Sequence, residues 1–234
     1  MPLEFPVPHD ITYCVCDVET DGPTPGVHAL RSIGIVAFDE AGVEIDAFAA
    51  NLEPLPDTTS DPETMAWWAT EPDAWAAATI DARPAETVMH DLASWLHRLP
   101  APRMFVAHPL AFDGAWLDAY LRRFTDQQVF AMRPDASPFA GAGIDIATFV
   151  HATFDVPLPV GLPTYPEALR RGAPHDHTPL TDARGHAATF FNARALGRNP
   201  DQRARVRALM LRASNETPWM TMTTGVPGER TNAR

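Results

Sequence analysis

The chain has 234 residues, 45% of them hydrophobic, and a formal net charge of −12. This hydrophobic content supports a folded core and excludes a globally disordered chain, while the negative charge argues against a protein that coats long nucleic acids through a broad basic surface. A few nucleotides could still be bound through metal ions. Without an apolar run long enough to cross a bilayer, and without a signal-peptide pattern at the N-terminus, we expect a cytoplasmic protein with no membrane partner.

Strand-like segments dominate the first fifth of the chain. Three segments are rich in β-branched and aromatic residues, and the short turn between the last two predicts an antiparallel hairpin: 11–17, 30–38 and 43–51. Cys14 and Cys16, the only cysteines, are spaced poorly for a disulfide on one strand and are expected to be small core residues.

Helices are expected to follow, with one more strand among them. Asp61 and Pro62 fit an N-cap and a first helical residue, and they lead into one helical stretch through Trp75. The segment 104–107 reads as a short buried strand. Further helices are predicted from apolar spacing: 85–98, 111–124, 144–154, 166–171, 180–196 and 199–214.

This order predicts an α/β fold with a mixed sheet. We expect an N-terminal arm over residues 1–10, one domain over 11–197, and a C-terminal helix with a flexible tail over 198–234. Arginine is concentrated in this last segment, where a solvated helix face is favoured over a nucleic-acid contact.

Two carboxylates stand at the end of the first predicted strand. Asp17 and Glu19 are two residues apart, so their side chains project from the same face of a strand. Their repulsion would keep one of them protonated unless a cation lies between them. Mg²⁺ and Mn²⁺ bind such oxygen ligands. By itself, however, the pair is more typical of a solvated turn.

Three more residues occur in related contexts further along the chain. Asp113 lies in the first turn of the helix after strand 104–107. Asp182 lies in the first turn of a later helix, five residues after His177. Each carboxylate alone is more typical of a helix cap. The ordered set Asp-x-Glu, Phe-Asp and His-x₄-Asp, each at a strand end or helix start, is much harder to obtain by chance and favours a metal site.

These segments resemble the motifs of a known family. DVETDG, AHPLAFD and HTPLTDA are similar, in order, to the three motifs of the DEDDh 3′–5′ exonucleases, which include ribonuclease T and oligoribonuclease. The resemblance covers about residues 11–197 and implies a ribonuclease H-like mixed β-sheet flanked by α-helices. The segments DGPTPG and WWATEPDAW also resemble a bacterial branch described as exonucleases or 3′–5′ exoribonucleases. Pro109 and Pro179 depart from the pattern, since many relatives have Asn and Ala there.

The resemblance implies a metal-dependent 3′–5′ exonuclease. Asp17, Glu19, Asp113 and Asp182 would hold two divalent cations, Mg²⁺ or Mn²⁺, and His177 would be the general base. The substrate would be the 3′ end of short or single-stranded RNA or DNA, with RNA slightly favoured, and the products would be nucleoside 5′-monophosphates. Relatives are often homodimers, so a homodimer is expected by the same analogy.

Other residues are assigned to the substrate side of the site. Thr20, Asp21 and Gly22 are expected to form the edge where the terminal nucleotide docks, with His108 ordering the adjacent loop. Three residues on one helical face are assigned to core packing in preference to base stacking: Met65, Trp68 and Trp75.

Several alternatives stay open at this point. His175 competes with His177 for the base role, but six residues separate it from Asp182 where the motif has four. The His175–His177 pair also suggests zinc, which usually needs three or four nitrogen or sulfur ligands. The remaining histidines, including His186, are assigned to the surface or to packing. A catalytically retired binding domain and a dinucleotide or small-molecule phosphodiesterase are the alternative functions.

Overall fold

The computed structural model describes residues 10–131, 133–157 and 164–216. The predicted N-terminal arm, apart from its last residue, and the predicted tail beyond residue 216 lie outside the described residues. None of the described helices combines the length and apolar character needed to cross a membrane.

The described residues form one mixed sheet of five strands in the order β3-β2-β1-β4-β5. β1 pairs antiparallel with β2 and parallel with β4, β2 pairs antiparallel with β3, and β4 pairs parallel with β5. The α/β class and the hairpin of the second and third strands are thereby confirmed. The strands are β1 Thr12–Thr20, β2 Leu30–Phe38, β3 Glu44–Asn51, β4 Arg103–Ala107 and β5 Ile144–Asp145.

β1 is central because it is paired on both sides, and its composition suits that position. Cys14, Val15 and Cys16 are fully buried, and both cysteines are free thiols, as the sequence predicts. Burial raises the pKa of the Cys14 thiol to about 12, which keeps it protonated and unreactive. β1 runs to Thr20, three residues beyond the predicted end, so Asp17 and Glu19 lie within the paired strand.

Helices account for most of the described residues outside the strands. They are α1 Pro62–Trp68, α2 Pro72–Thr79, α3 Ala85–Arg98, α4 Leu110–Phe124, α5 Ile146–Phe154, α6 Glu167–Arg170, α7 Pro179–Arg198 and α8 Pro200–Glu216. The Asp61 carboxylate accepts a hydrogen bond from the Thr64 N–H at 2.8 Å, which confirms the predicted N-cap of α1.

Two predicted elements were wrong. The single helical stretch after Asp61 is broken into α1 and α2 before Pro72, because a proline disfavours helical backbone at the residue preceding it. The helix predicted from residue 144 begins at Ile146, since Ile144 and Asp145 pair with Val106 and Ala107 of β4 as the short strand β5.

The chain divides into two compact units. The first comprises residues 1–146 and 172–187, and the second comprises residues 147–171 and 188–234. The core of the first unit lies on the sheet and includes Phe105, Trp116 and Leu121, with the Tyr120 hydroxyl accepting a hydrogen bond from the Leu30 N–H at 2.9 Å.

The second unit is helical in its described part. It contains α6, α8, most of α5 and the later part of α7. Within it the rings of Phe149 and Phe190 lie 5.0 Å apart, and the Asn192 amide donates to the Leu169 carbonyl at 3.1 Å. Every residue that the sequence assigns to the catalytic site belongs to the first unit.

Candidate active site

The candidate site lies at one edge of the sheet, where the parallel strands β1, β4 and β5 end. Asp17 follows Cys16, whose partner Ala107 is the last paired residue of β4, and Asp145 ends β5. His108 comes directly after β4. Because the carboxyl ends of parallel strands meet at one edge, residues from three distant parts of the chain are placed close together.

Three of the four predicted ligand carboxylates converge at this edge. One oxygen each from Asp17, Glu19 and Asp182 lies within 4.8 Å of the other two. Asp17 and Glu19 come from alternate positions of β1, and Asp182 comes from the first turn of α7. The positive end of that helix dipole adds a favourable field for negative charge.

The electrostatics of the three carboxylates is unfavourable without a cation. Burial raises the pKa of Asp17 well above its usual value, and the charges of Asp113, Glu19 and Asp182 raise it further, in that order. Burial, followed by the charges of Asp182 and Asp113, raises the pKa of Glu19 to about 9. A bound cation would relieve this repulsion and allow the carboxylates to ionise together.

Asp113, the fourth predicted ligand, lies outside the group of three atoms but close enough to influence it electrostatically. It is 2% exposed, and its Oδ2 makes no hydrogen bond within the described part of the chain. Burial raises its pKa well above the usual range, against the lowering effect of backbone hydrogen bonds from Val18 and His108. A buried carboxylate oxygen without a donor fits a site that receives a cation or its water.

The start of α7 approaches the sheet closely because residue 34 has no side chain. Gly34 is paired with Asp17 across β1 and β2. A Cβ at Gly34 would collide with the backbone of Pro179 and Leu180. Glycine at this position therefore allows the first turn of α7, and Asp182 with it, to approach Asp17.

A loop before α7 carries two histidines to Asp182. His175 Nδ1 lies 2.6 Å from Asp182 Oδ2, and the Asp176 N–H donates to Asp182 Oδ1 at 2.9 Å. The Asp176 carboxylate accepts from the N–H and the hydroxyl of Thr178, at 3.1 and 2.5 Å, which holds the loop in a tight turn. The structure thus gives His175 a contact that its position outside the motif did not predict.

His177, the predicted general base, lies in the same loop with a left-handed backbone at φ 58°. Its ring centroid is 4.9 Å from that of Trp67, edge to face, and 4.4 Å from that of His175. The contact with Trp67 restricts the orientation of the imidazole. Assignment of the base role to His177 stays a prediction, since the structure brings both histidines to Asp182.

His186, which the sequence analysis assigned to packing or the surface, lies largely buried beside this site. Its Nδ1 lies 3.7 Å from Asp17 Oδ1. Burial, and then the charges of His108 and His175, lower its pKa to about 4, so the ring is neutral near pH 7. Its spacing could have indicated this position, because a residue four positions after Asp182 in a helix lies on the same face of that helix.

The residues predicted to contact the terminal nucleotide form an internally bonded turn. Asp21 is 2% exposed, its Oδ1 accepts from the Ala29 N–H at 2.6 Å, and its Oδ2 accepts from the Ser60 hydroxyl at 3.1 Å. The Thr20 hydroxyl donates to the Gly22 carbonyl at 2.8 Å. For Asp21 these contacts favour a structural role in the turn over the direct nucleotide contact that the sequence predicts.

His108 is placed as a residue of the loop after β4. Its Nδ1 lies 3.9 Å from Asp145 Oδ2, beyond hydrogen-bond length, and that oxygen accepts from the Leu110 N–H at 3.0 Å. Burial lowers the pKa of His108, so the ring favours the neutral form. Its predicted contact with substrate stays a prediction.

The tryptophans of α1 and α2 separate into two roles. Trp68 is 2% exposed and its Nε1–H donates to the Thr20 carbonyl at 2.9 Å, so its side chain packs in the core and fixes the end of β1. Trp75 is partly buried beneath the Arg31 guanidinium, 5.3 Å from the ring centroid. Both contacts agree with the predicted preference for packing over base stacking.

Comparison with known proteins identifies the family. Residues 12–192 match the model of the Rv2179c-like 3′–5′ exoribonuclease domain. The chain belongs to this family. The predicted membership of a 3′–5′ exonuclease family is therefore confirmed. No curated protein matches the chain.

Solved structures of exonuclease I share the fold. The enzyme from Methylocaldum szegediense aligns with a TM-score of 0.59 and 17% identity over 86% of this chain and 43% of that one. Escherichia coli exonuclease I in complex with a 5cy-dT13 oligonucleotide aligns with a TM-score of 0.57 and 15% identity over 84% and 42%. Its zinc-bound complex with single-stranded DNA aligns with a TM-score of 0.55 and 13% identity, over 80% of this chain and 41% of that one. The chain thus spans less than half the length of these enzymes.

Proposed function

We propose that this protein removes nucleotides one at a time from the 3′ end of single-stranded or short nucleic acid, with RNA preferred, and releases nucleoside 5′-monophosphates. The observation that carries the proposal is the convergence of Asp17, Glu19 and Asp182 within 4.8 Å in a chain of the exoribonuclease family. RNA is favoured by the family description, whereas two of the Escherichia coli exonuclease I structures contain single-stranded DNA.

Four carboxylates are proposed to hold two divalent cations, Mg²⁺ or Mn²⁺: Asp17, Glu19, Asp113 and Asp182. When bound, such cations supply Lewis-acid stabilisation of the scissile phosphate and lower the pKa of the attacking water. The all-oxygen donor set suits these ions. Once all four are ionised, the carboxylates carry a total charge of −4 and would repel the phosphate, so they can serve a nuclease only with that charge compensated by cations.

The imidazole of His177 is proposed to accept the proton of the attacking water at an unprotonated ring nitrogen. A base of this kind typically contributes about 10²–10⁴-fold to the rate. Trp67 orients the ring through its edge-to-face contact. The neutral ring of His186, beside Asp17 Oδ1, limits how far that carboxylate can move.

Digestion of a 5′-labelled oligonucleotide tests the function. The chain should shorten a single-stranded RNA 12-mer from its 3′ end in single-nucleotide steps in Mg²⁺ or Mn²⁺, shorten the DNA of the same sequence more slowly, and stop in EDTA. Asp17→Asn should be inactive, and Asp73→Asn, which alters an exposed carboxylate of α2, is the matched control.

The outcomes separate the alternative functions. An RNA bound but not shortened under either ion would indicate a retired binding domain and overturn the proposal. Cleavage of dinucleotides with no action on the 12-mer would indicate a small phosphodiesterase. Faster digestion of DNA would reverse the substrate preference alone. The cytoplasmic location and the homodimer stay predictions from the sequence.

A further inference from the structure

A second group of metal-ligand atoms lies on the loop side of Asp182. One atom each from His175, His177 and Asp182 lies within 4.8 Å of the other two. This group shares Asp182 with the carboxylate group but otherwise uses different residues. It is also more accessible, since the His175 side chain is 64% exposed while that of Asp17, in the carboxylate group, is 13% exposed.

The loop is already arranged to direct these three residues at one another. Asp182 Oδ1 is held by the Asp176 N–H, which leaves Oδ2 directed at His175 Nδ1 at 2.6 Å. The turn held by Asp176 and Thr178, together with the left-handed backbone of His177, brings the two imidazole rings to 4.4 Å. No large rearrangement is needed to present two nitrogens and one oxygen to an ion.

The chemistry of these ligands differs from that of the carboxylate group. Two imidazoles with one carboxylate is a ligand set typical of Zn²⁺ sites that keep a fourth position for water, whereas Mg²⁺ prefers oxygen ligands alone. At Zn–ligand distances of about 2.0–2.2 Å, tetrahedral ligands lie about 3.3 Å apart. The separation of 2.6 Å between His175 and Asp182 must widen slightly, which the exposed His175 side chain permits.

We propose that His175, His177 and Asp182 form a transition-metal site, which shares only Asp182 with the carboxylate site, and that this site binds Zn²⁺ and thereby inhibits the nuclease. Inhibition follows from two residues that the proposed nuclease also uses: a ring nitrogen of His177 coordinated to Zn²⁺ can no longer accept a proton, and Asp182 bound to Zn²⁺ is a weaker ligand for the cations of the carboxylate group. The binding part stands on the geometry alone, while the inhibitory part rests on the proposed function.

Binding is tested by a direct measurement that does not require activity. Co²⁺, used as a visible-absorption probe for Zn²⁺, is titrated into the full chain in the absence of Mg²⁺, because the two groups share Asp182. One equivalent should give the intense bands of four-coordinate Co²⁺, and one equivalent of Zn²⁺ should displace it. His175→Ala should weaken Zn²⁺ binding by about tenfold or more, because it removes a ligand. His90→Ala, at an exposed position of α3, should bind as the wild type does.

Asp17→Asn distinguishes the two groups of ligands. It should retain the Co²⁺ bands, because Asp17 belongs only to the carboxylate group. Loss of the bands in Asp17→Asn, or wild-type Zn²⁺ affinity in a folded His175→Ala protein, would overturn the proposed site. Circular dichroism establishes that each variant is folded.

Inhibition is tested on digestion of the labelled RNA in Mg²⁺. One equivalent of Zn²⁺ should slow the wild type, and His175→Ala should need about tenfold more Zn²⁺ for the same fractional inhibition. Equal sensitivity of the two proteins would overturn the regulatory role. If the wild type shows no nuclease activity at all, the proposed function fails, while the Co²⁺ titration still decides whether the site exists.

Discussion

The two halves of the candidate site are built in different ways. Asp17 and Glu19 lie on β1, which is paired with β2 and β4 and has fully buried neighbours such as Cys16. His175 and His177 lie on a largely exposed loop whose shape depends on hydrogen bonds to the Asp176 carboxylate.

The geometry of the two halves therefore depends on different interactions. In the strand half, backbone pairing across the sheet fixes which side chains share a face, so a substitution leaves the frame intact and removes only the charge. In the loop half, a few local hydrogen bonds fix the geometry, so positions shift easily and two histidines compete for one partner. Substitutions of the strand residues should therefore reduce activity strongly, whereas substitutions of the loop residues should reduce it to different degrees.

The largest effect is expected from Asp17→Asn in the strand half. Removing this ligand should lower kcat by about 10³-fold or more, since cation stabilisation of the transition state is worth several kcal/mol. The fold should persist, because burial raises the pKa of Asp17 and the uncharged form is already favoured without a cation. Single-turnover digestion measures the rate, and a thermal melt measures whether the fold persists. If Asp17→Asn is inactive and has also lost its cooperative melting transition, the carboxylate is needed for the fold as well as for activity, and the prediction is wrong.

The loop half is examined by comparing His177→Ala with His175→Ala. Loss of the general base should reduce kcat by about 10²-fold or more and should flatten the acid side of the pH–rate profile, since an essential base must be unprotonated to act. The loss of kcat in His175→Ala should be at least about tenfold smaller, and the acid side of its profile should be unchanged. If the two variants exchange these behaviours, His175 is the base and the motif spacing misassigns it.

His186→Ala tests whether a helix residue reinforces the strand half. Its ring lies beside Asp17, so its loss should allow that carboxylate to move and should reduce activity by about 10–100-fold, the usual range for residues that orient metal ligands. The matched control is His90→Ala. A positioning role predicts weaker activation by Mn²⁺, measured as a higher concentration for half-maximal rate. Unchanged Mn²⁺ dependence would instead indicate a packing role.

The smallest expected effect is a pH dependence of stability. The pKa of Glu19 rises from 4.5 to about 9 on folding, so the folded state binds more protons between these values and the metal-free protein loses stability as pH rises through that window. Mg²⁺ binding releases protons, so stabilisation by Mg²⁺ should grow from pH 6.5 to 8.5. Melting curves in EDTA and in Mg²⁺ measure it, and Glu19→Gln should flatten the trend. If stabilisation by Mg²⁺ does not change over this pH range, Glu19 is already ionised without a cation and the prediction is wrong.

Elements that depend on local signals were predictable. The second and third strands begin and end at or within one residue of the structure, because alternation and turn residues lie within each segment. β5 was missed because a strand of two residues exists only through its pairing with β4, which no local pattern records.

The site shows the same division between local and distant signals. Asp17 and Glu19 share a strand face, as their spacing requires, and Asp113 lies in the first turn of a helix as predicted. The buried carboxylate of Asp21 accepts hydrogen bonds from Ala29 and Ser60, the latter 39 residues away. These contacts could not be predicted from the residues next to Asp21 in the sequence.

Gly34 has a consequence for recognising functional relatives. Carboxylates in the right order can survive in a chain that no longer assembles them, since aspartate and glutamate are tolerated at strand ends and helix starts for other reasons. A side chain at position 34 would instead push the first turn of α7 away from β2, and Asp182 with it. A glycine paired with the first aspartate is thus a stricter criterion for an assembled site than the acidic residues themselves, although glycine has no side chain that could take part in the reaction.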